Sequence, residues 1–197
     1  MVHTDSIPPE ALARIADQIG IGITGLLDPE QLDDLHIELA ESFQLWMIGA
    51  APVQHFWQKS QDLFNCVQPT SRWHHQIKFN GEAAAFARSS PPDKDSEQWL
   101  LCELFVSSLA KRIEKGIAKI DQRETEFKNN PVVRLLVAPA YQLYAFWLLD
   151  EIEMASRVMV IDCPKEFGKL KTYNFFNSSE FLAALPRHHI VGVSYQP

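Results

Sequence analysis

The sequence predicts an α+β protein, with a mainly helical N-terminal body and a small C-terminal strand–helix–strand section. Two apolar patterns with helical spacing and one β-branched run lead to that class. Between residues 95 and 127, Trp99, Cys102, Val106, Leu109, Ile113, Ile117 and Ile120 recur in steps of three and four, one stripe of a long helix. Lys111, Lys115, Lys119 and Arg123 form an i,i+4 ladder on its other side. Leu32, Leu35, Leu39, Phe43 and Trp46 repeat the same stepping earlier in the chain. Near the other end, Arg157-Val-Met-Val-Ile-Asp162 is an apolar, β-branched run closed by Pro164, which reads as a buried strand.

Taken in order, Pro8, Pro9 and Glu10 open a short helix carrying Leu12, Ile15 and Ile19, which Gly20 can end. Asp28 caps the next, with Pro29 at its first position. Pro52 starts a third, with Val53, Phe56, Trp57, Leu63, Phe64 and Val67 as its bulky face and Pro69 just past its end. From Arg72 to Arg88 the period changes. Trp73, His75, Ile77 and Phe79 alternate with polar residues and run into Asn80-Gly81, which predicts a hairpin pairing Trp73 with Arg88 and His75 with Phe86. The alanine-rich arm after the turn favours helix, so a strand entering a short helix is the competing reading. Asp95 with Gln98 forms a capping box for the long helix. After Asn129-Asn-Pro131, residues 132–154 make either one Pro-kinked helix or a strand followed by a helix from Pro139. Ser178 or Ser179 caps a short helix reaching Ala184, and residues 190–195 form a last strand. The expected organisation is a helical region over 1–128, with the possible hairpin at 72–88, and an α/β section over 129–197 packed on it as one compact domain.

Composition excludes several classes of function. A net charge of −7 argues against a broad phosphate-binding surface, so no nucleic acid is expected. Arg72-Trp73-His74-His75 joins base to aromatic as single-strand binders do, but one such cluster does not offset that balance. The basic ladder is interleaved with Glu114, Asp121, Glu124 and Glu126 and reads as a solvated helix face. Cys66, Cys102 and Cys163 are odd in number and widely spaced, which fits a reducing compartment. The first residues show no basic flank followed by an apolar run, so no signal peptide is expected. Residues 132–149 are apolar but contain Arg134, Pro139 and Gln142, so they read as buried core and no membrane span is expected. The expected location is cytoplasmic.

Candidate chemistry is sparse. Gly20, Gly22 and Gly25 spell G-x-G-x-x-G, but a helix precedes them and the next helix is capped only at Asp28, so no dinucleotide or other cofactor is expected. Asp33 and His36, three apart on the predicted second helix, are a possible metal pair, although a partly buried histidine held by one hydrogen bond explains His36 as well. Asp162 and Cys163 lie where the 157–162 strand ends, a usual ligand position in α/β sheets. A cysteine nucleophile there needs a base, for which His188 and His189 are candidates only if the last strand runs antiparallel. The leading expectation is a non-catalytic cytosolic binding or regulatory protein that acts through a protein partner or as a homo-oligomer. Its aromatic richness, five Trp and twelve Phe, is enough to leave a surface patch. The alternative is a small enzyme, with its site at the end of the 157–162 strand or at a His/Asp metal centre.

Overall fold

The computed structural model describes residues 3–49, 62–94, 96–152, 155–165 and 167–186. Its centre is a nine-stranded mixed sheet. The strands are β1 (His3–Thr4), β2 (Ile37–Ile48), β3 (Val67–Phe79), β4 (Glu82–Ser90), β5 (Leu100–Val106), β6 (Val132–Ala138), β7 (Leu143–Asp150), β8 (Ala155–Asp162) and β9 (Phe175–Asn177). Their spatial order is β5-β4-β3-β2-β6-β7-β8-β9, with β1 alongside the start of β6. Neighbours along that order are antiparallel except β2 and β6, which run parallel. The helices are α1 (Pro9–Thr24), α2 (Pro29–Leu32), α3 (Ser108–Asp121) and α4 (Ser178–Ala184).

Three layers result. On one face lies α3, whose Leu109, Ile113, Ile117 and Ile120 pack on Phe43, Phe86, Leu135, Phe146, Met159 and Ile161. Gly116 allows the close approach, because a Cβ there would overlap Ile161 Cδ1. The opposite face is covered twice. At the β3–β5 end, α1 sets Ile15, Ile19 and Ile23 on Ile77, Ala85 and Ala87. At the β6–β8 end, Phe181 and Leu182 of α4 join Leu63, Tyr141 and Phe167 over Trp147, Val158 and Val160. The sheet curls strongly. Strands β4 and β7 are four steps apart, about 19 Å if flat, yet Arg88 Nη2 donates to Tyr144 Oη at 3.1 Å.

The mainly helical body is therefore a correction: most of residues 37–106 is sheet. Two physical reasons account for it. First, β2 and β3 share two register shifts, and β3 with β4 and β4 with β5 one each. Each inserts residues into one strand, one in β2 between Leu39 and Ser42, two in β3 between Pro69 and Trp73, one in β4 at Ala84 and one in β5 at Cys102. The bulge after Leu39 sets Ser42 on the face of Leu39, and β2 is covered on both faces, Leu39 on the α1 side, Phe43 on the α3 side and Trp46 on the α4 side, so its apolar residues recur in steps of three and four. Second, β7 is buried on both faces and shows no alternation, so 132–154 is the β6–β7 hairpin, with a one-turn 3₁₀ segment at Pro139–Tyr141.

The long helix of 95–127 divides at Ser107. The residues before it form β5; Ser107 Oγ then accepts from Leu109 N at 3.2 Å and caps α3. The second helix stops at Leu32, and the stepping beyond it belongs to β2. Of the third predicted helix, 52–61 lie outside the described residues, and the remainder is a single 3₁₀ turn, Leu63–Asn65. Asp95, the predicted cap, and the 190–195 strand also lie outside them. Gly20 does not end α1, which continues through Gly22 to Thr24.

Other expectations match. The Asn80-Gly81 hairpin is present, with positive φ at both residues. Its register shifts by one after Ala84, so Trp73 faces Ser89 and His75 faces Ala87. The 157–162 strand is the core of β8, and the short helix reaching Ala184 is α4, although its cap is Asn177 and not Ser178 or Ser179.

Candidate functional site: the buried histidines, an arginine cleft and an open sheet edge

The residues singled out from the sequence do not share one place. Asp162 ends β8, opposite Tyr144, and its carboxylate is ion-paired with Arg112 of α3. Beside them, burial raises the Tyr173 pKa, Arg112 opposes the shift and Asp162 adds to it. Cys163 Sγ donates to Leu170 O at 3.4 Å. His188 and His189 lie outside the described residues. Asp33 and His36 sit in the turn before β2 and not on a helix; Asp34 has φ 62°, and His36 exchanges two hydrogen bonds of 2.8 Å with Asn80. The helical i,i+3 geometry behind that metal pair is therefore absent. Among the described residues no group of three His, Cys, Asp or Glu side chains is placed to hold a metal ion.

Two histidines adjacent in β3 are fully buried on opposite faces of the sheet. His75 lies between two serines, with Nδ1 at 2.8 Å from Ser42 Oγ on β2 and Nε2 at 2.7 Å from Ser89 Oγ on β4. A neutral imidazole and two hydroxyls satisfy that pattern in either tautomer. On the α3 side, His74 stacks on Phe86 at 4.8 Å and shares Nε2 with Gln76 Oε1 at 3.3 Å. Gln76 Nε2 in turn donates to Ala110 O of α3 at 2.8 Å. Burial lowers the His75 pKa to about 4. It lowers that of His74 to about 3, where the Gln76 hydrogen bond acts in the opposite sense and the positive Arg88 adds to the lowering. Both imidazoles are neutral at pH 7 and closed off from solvent. They tie strands and helix together, and a substrate has no path to them.

The second feature is a cleft of about 230 Å³ on the α3 face, beyond the end of that helix's cover. It is built by the largest bulge of the sheet. Gln44 pairs with Trp73 and Trp46 with Pro69, so Thr70, Ser71 and Arg72 together stand against Leu45 alone. Thr70 Oγ1 fixes the bulge by donating to Leu45 O at 2.9 Å and accepting from Arg72 N at 3.1 Å. The bulge brings Arg72 to Glu103 Oε1 at 2.7 Å, while Arg88 meets Oε2 of the same carboxylate at 2.8 Å. Arg88 Nε is buried with no hydrogen-bond partner among the described residues. Leu45, Met47, Val137 and Pro139 give the cleft an apolar floor.

The third is the outer edge of β5, the end strand of the sheet. Gln18 of α1 covers its start, donating to Trp99 O at 3.1 Å and accepting from Leu101 N at 2.7 Å. Beyond that clasp, Phe105 and Val106 are exposed, as are Ile21 and Leu26 at the end of α1.

Sequence reasoning weighed Arg72 only as part of a basic–aromatic cluster and did not single out Arg88 or the β5 edge. Arg72 and Arg88 meet only because of a bulge, which leaves no motif. Among the described residues no helix is long and apolar enough to cross a membrane. Comparison with known proteins gives no match to a family model, a curated protein or a solved structure.

Proposed function

We propose that this chain is a non-catalytic binding protein that works by self-association, two copies pairing through the outer edge of β5. The observation that carries the reading is where apolar surface is left uncovered. Ile21 of α1, Leu26 two residues past that helix, and Leu100, Phe105 and Val106 of β5 are five of the six large apolar side chains exposed among the described residues, and α1 packs on β5. Val106 is 58% and Phe105 46% exposed. An edge strand offers unpaired N–H and C=O groups, and monomeric proteins guard such edges with lysine, proline or extreme shortness. Seven-residue β5 has neither lysine nor proline. Its one charge, Glu103, is held by Arg72 and Arg88, so two copies of the edge meet without net negative repulsion. An antiparallel twofold about Leu104 sets Cys102 opposite Val106 of the second copy and continues the sheet across both. A cytosolic setting accords with the odd number of cysteines.

Gel filtration with light scattering tests this. A dimer at micromolar concentration is expected, and Val106→Lys should give a monomer with an unchanged circular dichroism spectrum. A wild type that stays monomeric at 100 µM would sink the proposal, as would a Val106→Lys dimer.

A further inference from the structure

We propose that the Arg72–Arg88 cleft is a binding site for a small organic monocarboxylate, an anionic head on a short apolar body. Its lining comes from β2, from the bulge of β3, from β4, from β6 and from Pro139 just past it, and β5 contributes only Glu103, which anchors the two arginines. Charge fixes the head. Two guanidiniums share one carboxylate, so the lining carries one positive charge in excess in a protein of net charge −7. A single carboxylate balances it, whereas a phosphate dianion would leave charge unmatched against an apolar floor.

Arg72 is the hand of the site. It lines the cleft, its side chain is 45% exposed, and its hydrogen bond to Glu103 is made through Nη1. Arg88 stands behind it, 19% exposed, held by Glu103 and Tyr144 and supplying charge. Size fixes the body. A volume of about 230 Å³ falls below the roughly 300–1,000 Å³ of sites for drug-sized molecules. Leu45, Met47, Val137 and Pro139 receive an alkyl or aryl tail.

Sodium octanoate is the probe, titrated into the full chain and followed by calorimetry and by methyl NMR. At ten heavy atoms its Kd should lie at about 0.1–5 mM, with shifts concentrated at the Met47 and Val137 methyls. Arg72→Gln should weaken binding about tenfold or more, and Arg72→Lys should recover part of the loss. Both variants leave the partly buried Arg88 in place, and an unchanged urea midpoint checks that they fold. 1-Octanol, which lacks the charge, and inorganic phosphate, which lacks the tail, should each bind at least tenfold more weakly. The site is refuted by any of three results: octanoate moves neither methyl, Arg72→Gln binds as tightly as wild type, or octanol or phosphate matches octanoate.

Discussion

Acidification from pH 7 to pH 5 should destabilise this protein by about 4 kcal/mol, and the two buried histidines of β3 should be the reason. In the unfolded chain both imidazoles have the ordinary pKa of about 6.5. In the folded protein burial holds His75 down to about 4 and His74 down to about 3. The unfolded state therefore binds more protons throughout the interval between these values. Stability contributed by the neutral imidazoles is complete above pH 6.5 and is lost as pH falls toward the folded pKa values. A group that is protonated only when unfolded costs about 1.36 kcal/mol per pH unit, and integrating from pH 7 to pH 5 gives about 2 kcal/mol for each histidine. The sum is a large share of the roughly 5–15 kcal/mol of a typical domain.

Urea unfolding at the two pH values is the assay. At an m-value of about 2–2.5 kcal/mol/M the midpoint should fall by about 1.5–2 M. His74→Phe keeps the stack on Phe86 and removes one titrating group, so its fall should be about half as large. A wild-type midpoint unchanged between pH 7 and 5 would refute the reasoning, and so would a His74→Phe variant with the full wild-type pH dependence.

Two further predictions concern packing and thiol chemistry. Ala at Gly116 gains about 1 kcal/mol of helix propensity but drives a methyl into Ile161 Cδ1, 3.0 Å from Phe146 Cε2, so Tm should fall by several degrees. Gly20→Ala meets nothing within 4 Å and should raise Tm; a calorimetric scan of both variants separates space from propensity. In the native protein at pH 8 a thiol reagent should modify exposed Cys102 and spare Cys66, whose pKa burial raises to about 11 with help from Asp62. Mass spectrometry finding Cys66 labelled before unfolding would contradict that.

The parts of the fold that were legible in the sequence share one property, that their signal is local. The Asn80-Gly81 turn needs positive φ at two successive residues, and few other pairs supply it. The β-branched run of β8 and the apolar face of α3 are likewise carried by neighbouring residues. Residues 37–48 failed for a physical reason: they carry a helix-like spacing of three and four because β2 is covered on both faces, with Leu39 packing on the α1 side, Phe43 on the α3 side and Trp46 on the α4 side. Hairpin β6–β7 failed because burial on both faces erases alternation. At the candidate sites, adjacency of His74 and His75 in a strand was enough to put them on opposite faces. Their serine, glutamine and phenylalanine partners come from three strands and could not be read from spacing.

The largest bulge of the sheet, at residues 70–72 of β3, also makes its surface chemistry. A regular β3 would place Arg72 one step beyond Trp73 along β2, where its side chain would point straight off the sheet. The extra residues at 70–72 loosen the ladder there, and Thr70 spends its hydroxyl on Leu45 and Arg72 in place of the lost backbone bonds. The freed guanidinium then reaches Glu103, two strands away in the order β5-β4-β3. Across the curl, Arg88 joins the same carboxylate to Tyr144. Straightening the bulge should separate Arg72 from Glu103 and leave the core clusters of β7 and β8 intact, because none of their packing passes through residues 70–72. The irregular strands thus pack as well as regular ones would, and the one thing they add is a pair of convergent cations on an otherwise acidic protein.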